Sequence, residues 1–389
     1  MNAPKLRFKE FTNEWNYRCL SEISTEITYG MNSASTEFDG LNKYIRITDI
    51  DDETGNFKPN NLVSPSSKLE DKFLVKKDDI LFARTGASTG KTYLYNIKDG
   101  KLYFAGFLIK AHIANHNSNF IFQQTKLEKY KKWVKLTSMR SGQPGINSEE
   151  YGKCIFSITS LSEENKIAQF LSLLDKKIEL QTKKIEALKL FKKGLFDTQL
   201  KNNEKESIMF DDFLDEATEK SSIQNQYPVL SSTSKGLFLQ SDYFNKQASS
   251  ENNVGYKILK RNQLVLSPQN LWMGNININN IFDIGIVSPS YRVYDIDIKK
   301  IDLNYFNYWI KTPKALYSYL ISSEQGASIV RRNLNIEMFN QISLKIPDLE
   351  KQHIIGNRIY QFYLKINLEE EKLKLLYKLK KGLMQNMFI

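Results

Sequence analysis

The chain carries one pattern of apolar residues twice, and the two copies lie 188 positions apart. Within each copy the apolar residues are spaced alternately by three and four positions, which is typical of a coiled-coil seam. Polar residues interrupt both copies at matching places, Gln181 with Glu369 and Lys192 with Lys380. We therefore predict two long helices that pair through a seam formed by Leu171, Leu174, Ile178, Ile185, Leu188, Leu195, Ile359, Phe362, Ile366, Leu373, Leu376 and Leu383.

Shorter segments outside the helices repeat as well, at distances that drift between 184 and 190 positions. The matched pairs are Leu20–Ile23 with Phe210–Phe213, Lys77–Phe82 with Arg261–Leu266, Asn119–Phe122 with Asn304–Asn307, and Ile146–Glu149 with Leu334–Glu337. A drifting distance indicates a shared framework whose loops differ in length, as expected of two related modules with different targets. The duplication predicts an internal pseudo-twofold axis.

Each module alternates β-rich runs with turn residues and contains one region of helical spacing. The predicted strands are Lys43–Ile50, Asp79–Ala83, Lys91–Tyr95, Leu102–Ile113, Cys154–Ile158, Tyr227–Ser231, Gln263–Ser267, Ile284–Tyr294 and Ile342–Ile346. The predicted module helices lie near Phe120–Lys135 and Tyr305–Ser322. The fold class is therefore α+β (mixed α/β), with two similar domains separated by a long antiparallel two-helix coiled coil.

The composition shifts and the repeat together set the predicted domain boundaries. Residues 1–158 and 206–347 form the two modules, and residues 159–205 and 348–389 form the long helices, the first with a polar linker. Each helix covers roughly 37 residues, or about 55 Å at 1.5 Å per residue. Helices of that length are too long to be core elements of a small domain, so we predict that they act as a spacer between the modules.

The net charge of +11 suggests an acidic partner, but the charge is unevenly distributed. Residues 1–158 carry 23 basic and 18 acidic side chains, whereas residues 206–347 carry 14 of each. Two cysteines are too few for a disulfide framework, which favours the reducing cytoplasm. The sequence shows no signal peptide and no apolar run as long as a membrane span.

Three motifs resemble catalytic or metal sites and are better explained otherwise. Gly86–Thr92 has three residues between its glycines where a phosphate-binding P-loop needs four, so we interpret it as a tight turn after a strand. His112 and His116 lie in or beside a predicted strand without further metal ligands. Asp348 with Glu370, Glu371 and Lys372 resembles a nuclease set but falls in the coiled-coil pattern. We predict no catalytic residues and no metal site.

Polar and aromatic side chains in two pairs of loops are candidates for contacts to DNA, because they suit phosphates or base edges. In the first module, one loop follows the predicted strand Asp79–Ala83 and the other precedes Ile146. In the second module, one loop follows the predicted strand Gln263–Ser267 and the other precedes the last strand. The candidates in these loops are Arg84, Thr85, Ser88, Lys91, Arg140, Gln143, Gln269, Asn270, Trp272, Arg331 and Arg332, and Arg292 in the predicted strand Ile284–Tyr294 is a further candidate.

The whole chain resembles the specificity subunits of type I restriction–modification systems. The resemblance rests on the duplicated order of module and helix and on several short motifs. Those motifs are Pro4–Phe8 with Glu14-Trp15, Lys77–Leu81, Glu164–Ala168 with Leu174–Ile178, and the helix ends Lys192–Leu195 and Lys380–Leu383. The second helix departs from the family at Ile355-Gly356, where Ile-Ala is usual, and has Tyr363 in place of an aspartate.

The resemblance implies a non-catalytic subunit that binds double-stranded DNA. Each module would be a target-recognition domain for one half of a split, asymmetric site, and the helices would set the spacing. Two methyltransferase subunits would dock on the chain and supply S-adenosylmethionine, and two restriction subunits would supply ATP- and Mg-dependent translocation and cleavage. The alternative that the residues leave open is a duplicated coiled-coil scaffold that binds only proteins, which salt-sensitive DNA binding would distinguish.

Overall fold

The computed structural model describes residues 3–139, 142–202, 206–243, 252–325 and 332–389. It contains two compact units. Unit 1 consists of Met1–Thr182 with Lys372–Ile389, and unit 2 consists of Lys183–Glu371. Each unit therefore contains one module together with a part of each long helix.

Unit 1 contains ten strands and the first four helices of the described chain. The strands are β1 (Asn16–Cys19), β2 (Ser24–Tyr29), β3 (Ser35–Glu37), β4 (Lys43–Ile45), β5 (Val63–Pro65), β6 (Asp79–Ala83), β7 (Thr92–Leu94), β8 (Leu102–Phe104), β9 (Leu108–Ile113) and β10 (Ile155–Ile158). The helices are α1 (Leu20–Ile23), α2 (Ser118–Gln124), α3 (Glu128–Thr137) and α4 (Ser148–Gly152), and the long helix α5 (Leu161–Asn202) follows them.

Unit 2 repeats this arrangement with different loops. Its strands are β11 (Glu206–Met209), β12 (Leu214–Glu216), β13 (Leu230–Thr233), β14 (Gly236–Leu239), β15 (Lys257–Lys260), β16 (Leu264–Leu266), β17 (Ile276–Ile278), β18 (Ile284–Val287), β19 (Arg292–Ile296), β20 (Ser323–Gln325), β21 (Arg332–Leu334) and β22 (Ser343–Ile346). Its helices are α6 (Gln240–Tyr243), α7 (Leu303–Trp309), α8 (Pro313–Ile321), α9 (Ile336–Asn340) and the long α10 (Leu349–Met387).

The two units share the topology of their central sheet. The central sheet has the order β2-β9-β6-β7 in unit 1 and β12-β19-β16-β17 in unit 2, with every neighbour antiparallel. A separate pair joins the first and last strand of each module, β1 with β10 and β11 with β22. The predicted mixed α/β fold in two related modules is therefore confirmed.

The repeat extends to backbone details that the sequence match only suggested. The turn before β6 places Asp78 at φ 69°, and the turn before β16 places Asn262 at φ 68°. The next residue then caps the turn in both units, because the Lys76 N–H donates to Asp79 at 2.7 Å and the Lys260 N–H donates to Gln263 at 2.7 Å. Such left-handed positions favour residues like Asp and Asn, which explains why the turn persists in both copies.

Predicted helix Phe120–Lys135 is interrupted in the structure, and so is its counterpart in unit 2. Between α2 and α3, the Thr125 hydroxyl bonds the Phe122 carbonyl at 2.7 Å and the Thr92 hydroxyl at 2.7 Å. In unit 2, Thr312 caps α8 through the N–H of Ala315, with Pro313 at the first helical position. These caps compete with helix continuation, so one predicted helix becomes two in each unit.

Two predicted strands are also divided. The run Leu102–Ile113 forms β8 and β9 with a turn in which the Leu108 N–H donates to the Ala105 carbonyl at 2.8 Å. The run Ile284–Tyr294 forms β18 and β19 on either side of Pro289, which has no N–H for a ladder. Apolar periodicity alone did not reveal these turns.

The long helices α5 and α10 contain 42 and 39 residues. Within unit 2 their contacts run in opposite directions, from Lys184 with Glu369 at 2.8 Å to Phe196 against Phe362. In unit 1, Lys380 of α10 pairs with Asp175 of α5. The contacts in unit 2 confirm the predicted antiparallel pairing, and Gly194 and Gly382 lie inside the helices without ending them.

The seam residues lie on the inner face of the helix pair. The buried ones are Leu171, Leu174, Ile178, Ile185, Ile359 and Ile366, and the partly buried ones are Leu188, Leu195, Phe362, Leu373, Leu376 and Leu383. Glu369, which interrupts the seam, is only 4% exposed and is paired with Lys184. A buried carboxylate needs such a partner, since an unpaired charge there is costly.

Gly356, the departure from the family pattern, has a structural reason in unit 2. A Cβ atom at this position would lie 2.1 Å from Oδ1 of Asp302. That same Oδ1 accepts the N–H of Tyr305 at 2.8 Å and so caps α7. The absence of a side chain at residue 356 allows α10 to pass close to this cap.

Residues at the end of α10 and just beyond it complete the core of unit 1. Phe388 contacts Phe120 at 5.2 Å and Trp15 at 6.3 Å between ring centroids. Met384 and Met387 belong to the same apolar cluster. Among the described residues, no helix is long and apolar enough to cross a membrane.

Candidate nucleic-acid interface

The first candidate loop, loop A (Arg84–Lys91), follows the fully buried strand β6. Its ends are joined where the Ala83 N–H donates to the Lys91 carbonyl at 2.8 Å. Gly86 and Gly90 have φ angles of 72° and 88°, so both adopt the left-handed conformation that glycine permits. Loop A is the predicted tight turn after a strand.

A second segment, residues 142–147, lies against loop A in unit 1. Thr85 forms an isolated β-bridge with Gly145, and the Gly86 N–H donates to the Pro144 carbonyl at 2.9 Å. Gln143 is exposed and so close to Gly86 that a Cβ there would lie 2.9 Å from its Nε2. The structure therefore brings Thr85 and Gln143 together, while Arg140 lies outside the described residues.

Arg84 is held at the base of this loop pair by an aromatic ring. Its guanidinium lies 4.7 Å from the ring centroid of Tyr29 and donates to the Gly106 carbonyl at 3.4 Å. The Tyr29 hydroxyl in turn accepts the N–H of Ser148 at 3.0 Å. Because Arg84 is partly buried, it fixes the loops as well as offering charge to a ligand.

The other two candidates of loop A differ in their freedom. Lys91 forms an ion pair with Asp52, and its side chain is 21% exposed. Ser88 is partly exposed in the short turn Gly86–Ser88. Lys91 therefore offers less charge to a ligand than its position in the sequence suggested.

Unit 2 closes the equivalent loop B (Ser267–Asn275) with the same backbone bond. The Ser267 N–H donates to the Asn275 carbonyl at 3.0 Å, and Gly274 has a φ angle of 83°. The second segment of unit 2 also contacts its loop, because the Arg332 N–H donates to the Gln269 carbonyl at 3.2 Å. The two units therefore present the same pair of loops.

The side chains on loop B are unlike those on loop A. Gln269 is exposed, whereas Asn270 and Trp272 are partly buried. The Arg332 guanidinium donates to the Ser323 carbonyl at 2.6 Å, which fixes it beside the loop. Arg331 lies outside the described residues.

Arg292 begins β19 and is bound within its own sheet. Its guanidinium pairs with Glu216, and the Glu216 carboxylate also contacts Lys257 at 3.4 Å. Arg292 is 30% exposed on its side chain. Arg292 therefore shares this carboxylate with Lys257.

The sequence did not reveal the residues that hold the two loops by hydrogen bonds to a glycine carbonyl. In unit 1 the Tyr130 hydroxyl donates to the Gly90 carbonyl at 3.1 Å. In unit 2 Lys311 donates to the matching carbonyl of Gly274 at 2.9 Å. Burial lowers the pKa of Lys311 to about 8. Gly90 and Gly274 could be matched from the repeat, because they lie 184 positions apart. The donors Tyr130 and Lys311 do not occupy equivalent positions and share no motif.

The residues of the rejected catalytic motifs have structural partners. His112 bonds Asp79 at 2.8 Å, and His116 bonds Glu164 at 2.9 Å. Glu370 pairs with Lys189 at 2.6 Å on the helix pair. In the described part of the chain, no group of three or more acidic, histidine or cysteine side chains is arranged to hold a metal ion.

Residues 12–190 match the family model of the type I restriction modification DNA specificity domain. The matched region contains loop A, residues 142–147 and residues 161–190 of α5. The match therefore covers the first module and most of the helix that follows it.

Two solved structures are similar to the chain over nearly its full length. One is described as the S subunit of a type I restriction–modification system from M. genitalium, with a TM-score of 0.61, 14% identity and coverage of 100% of this chain and 99% of that chain. The other is described as showing complex assembly and conformational transition of the type I R-M system, with a TM-score of 0.55, 12% identity and coverage of 96% and 97%. At these identities the likeness concerns the fold.

Proposed function

Because the chain belongs to the family of type I restriction–modification DNA specificity proteins, we propose that each unit reads one half of a split, asymmetric DNA site. The observation that carries this proposal is the pair of loops that both units place after equivalent strands and close with the same backbone bond, but build from different side chains. A shared framework places the loops alike, while equivalent positions 184 residues apart differ in chemistry, as Thr85 and Gln269 or Ser88 and Trp272 do. Amide and guanidinium groups of this kind read base edges in the major groove.

Exchange of one module should change one half of the methylated sequence and leave the other half intact. The exchange should include residues 1–158 and 383–389, because Phe388 packs against Trp15 and Phe120 of that module. The matched exchange of residues 206–347 should change only the other half. Methylome sequencing of a host that also expresses the partner methyltransferase would measure both results.

An exchange that changes both halves of the site, or neither half, would contradict this assignment. The host that expresses the specificity chain without the methyltransferase serves as the control and should show no methylation at the site. Methylation of the site in this control host would contradict the non-catalytic role that we propose for the chain.

The partners and cofactors belong to the same proposal. Two methyltransferase subunits would dock on the chain and bind S-adenosylmethionine, and two restriction subunits would use ATP and Mg. Free thiols at Cys19 and Cys154 are compatible with the cytoplasm, where such a complex would meet DNA. Family membership favours this assembly over the alternative scaffold that binds only proteins.

We further propose that α5 and α10 set the distance between the two half-sites. Insertion of one heptad into both helices, after Thr182 and after Glu371, should lengthen the preferred gap. Seven residues add about 10.5 Å at 1.5 Å per residue, which is roughly three base pairs at 3.4 Å each. A heptad preserves the facing of the seam, so the helices should still pair.

The altered gap would be measured by methylome sequencing of a strain that carries the extended chain. The modules would also rotate around the DNA by about a third of a turn, so lower affinity is expected with the new gap. Half-site sequences should remain unchanged. Full activity at the original gap would show that the helices do not set the distance.

A further inference from the structure

The helix α3 of unit 1 has an exposed face rich in lysine. We call Lys131, Lys132 and Lys135 the basic face of α3; all three are exposed. Tyr130 is buried and Val134 is partly buried on the opposite side of the helix. The spacing is that of an amphipathic helix with its charges turned to solvent.

The helix that carries this face packs against loop A through its other side. The inner side of α3 supports loop A, since Tyr130 bonds the Gly90 carbonyl at 3.1 Å and a Cβ on Gly90 would lie 2.5 Å from Val134. The helix then leads into the second segment, where the Gly145 N–H donates to the Ser138 carbonyl at 3.2 Å. A nucleic acid bound at loop A would therefore meet α3 next.

Most of this charge is not neutralised within unit 1. Lys131 pairs with Glu128 at 2.9 Å, whereas Lys132 and Lys135 have no acidic partner in the parts of the chain that the structure describes. Lys131 lowers the pKa of Glu128 most, and Lys381 and Lys132 lower it further. The single acidic residue of this helix therefore lies in a field of several cations.

The equivalent helix of unit 2 lacks this face. At 185 positions later, the places of the three lysines are taken by Leu316, Tyr317 and Leu320. Tyr317 is 65% exposed, and Leu316 lies 3.1 Å from a Cβ built on Gly274. The two units thus match in fold and loop position but differ in the charge beside the loop.

We propose that the basic face of α3 binds the DNA phosphate backbone beside loop A. Unit 1 then supplies a larger share of the sequence-independent, salt-dependent affinity than unit 2. The inference rests on the proposed DNA-reading function and adds a division of labour between the units. Lysine ammonium groups suit this role, because phosphate contacts position a protein on DNA without reading its sequence.

The test uses the full chain and a fluorescent random-sequence DNA duplex of about 30 base pairs, titrated over a range of salt concentrations. The variant carries Lys131→Gln, Lys132→Gln and Lys135→Gln together. Each phosphate contact contributes about 0.9 to the slope of log K against log salt concentration, so the slope should become shallower by about two to three. Affinity at about 0.1 M salt should fall by roughly a hundredfold.

The matched control carries Lys76→Gln, Lys77→Gln and Lys98→Gln. These three lysines are also exposed in unit 1, and their substitution removes the same charge. They lie before β6 and after β7, at the strand ends opposite loop A. The control should keep the slope of the parent. Thermal melting of both variants should match the parent, which shows that any change arises in binding.

The outcomes separate this inference from the proposed function. A parent that binds DNA with a steep salt dependence, together with an α3 variant of unchanged slope, would overturn the inference and leave the proposed function standing. Equal losses in the α3 variant and in the control would also overturn it, because they would reflect net charge alone. A parent without salt-dependent DNA binding would instead contradict the proposed function.

Discussion

Replacing Ile178 by aspartate should destabilise unit 1 by about 4 kcal/mol, because the carboxylate would be buried without a partner. Ile178 is 7% exposed on the inner face of α5. The corresponding change in unit 2, Ile366→Asp, should have a similar effect there, since Ile366 is 6% exposed. Urea denaturation followed by circular dichroism would measure the loss, and hydrogen exchange would assign it to a unit.

Each helix offers a matched control two residues away from its test position. Leu180 is 56% exposed and Leu368 is 52% exposed, so Leu180→Asp and Leu368→Asp place the same carboxylate on the same helix in water. Both controls should change stability by about 0.5 kcal/mol or less. If Ile178→Asp unfolds at the same urea concentration as Leu180→Asp, the seam does not hold the helices together.

The seam could be predicted because its information is local and repeated. Spacings of three and four residues place Leu171, Leu174 and Ile178 on one helical face wherever the helix occurs. The second copy then fixes the partner, since a duplicated seam has an obvious complement. The length of both helices followed from the same pattern, and the structure extends them by only a few residues.

The interruption of the module helices could not be predicted, because its cause lies far away in the sequence. The Thr125 hydroxyl stops α2 partly through its bond to Thr92, which is 33 residues earlier on a strand. Helical spacing continues across Thr125 and gave no sign of a break. Tertiary contacts of this kind override local preference.

The positions of the candidate loops could be predicted from the sequence, but the contacts of their side chains could not. The repeat aligned the loops after β6 and β16, and the structure closes both with the same backbone bond. The repeat in the sequence did not reveal that Lys91 pairs with Asp52 or that Arg292 pairs with Glu216. Those partners come from strands and loops whose placement no motif encodes. The lysines of α3 were visible in the sequence but did not indicate a binding site, because a charged helical face is ordinarily only solvated.

The core of unit 1 depends on residues from the other end of the sequence, and Phe388→Ala should therefore destabilise unit 1 by about 3 to 5 kcal/mol. Phe388 is 6% exposed and packs against Phe120 and Trp15. Its loss would leave a cavity between two aromatic rings that cannot readily collapse. Unit 2 should keep its stability, because distant sites contribute independently.

Hydrogen exchange measured by mass spectrometry would separate the two units in the Phe388→Ala variant. Protection should fall in α2 and β10, which border the cavity, and remain unchanged in α7 and β22 of unit 2. Gln385→Ala is the matched control, because Gln385 is exposed on the same last turns of α10. Equal loss of protection in both units, or none in α2, would show that Phe388 is not part of the core of unit 1. Residues 383–389 would then not need to be exchanged together with the first module.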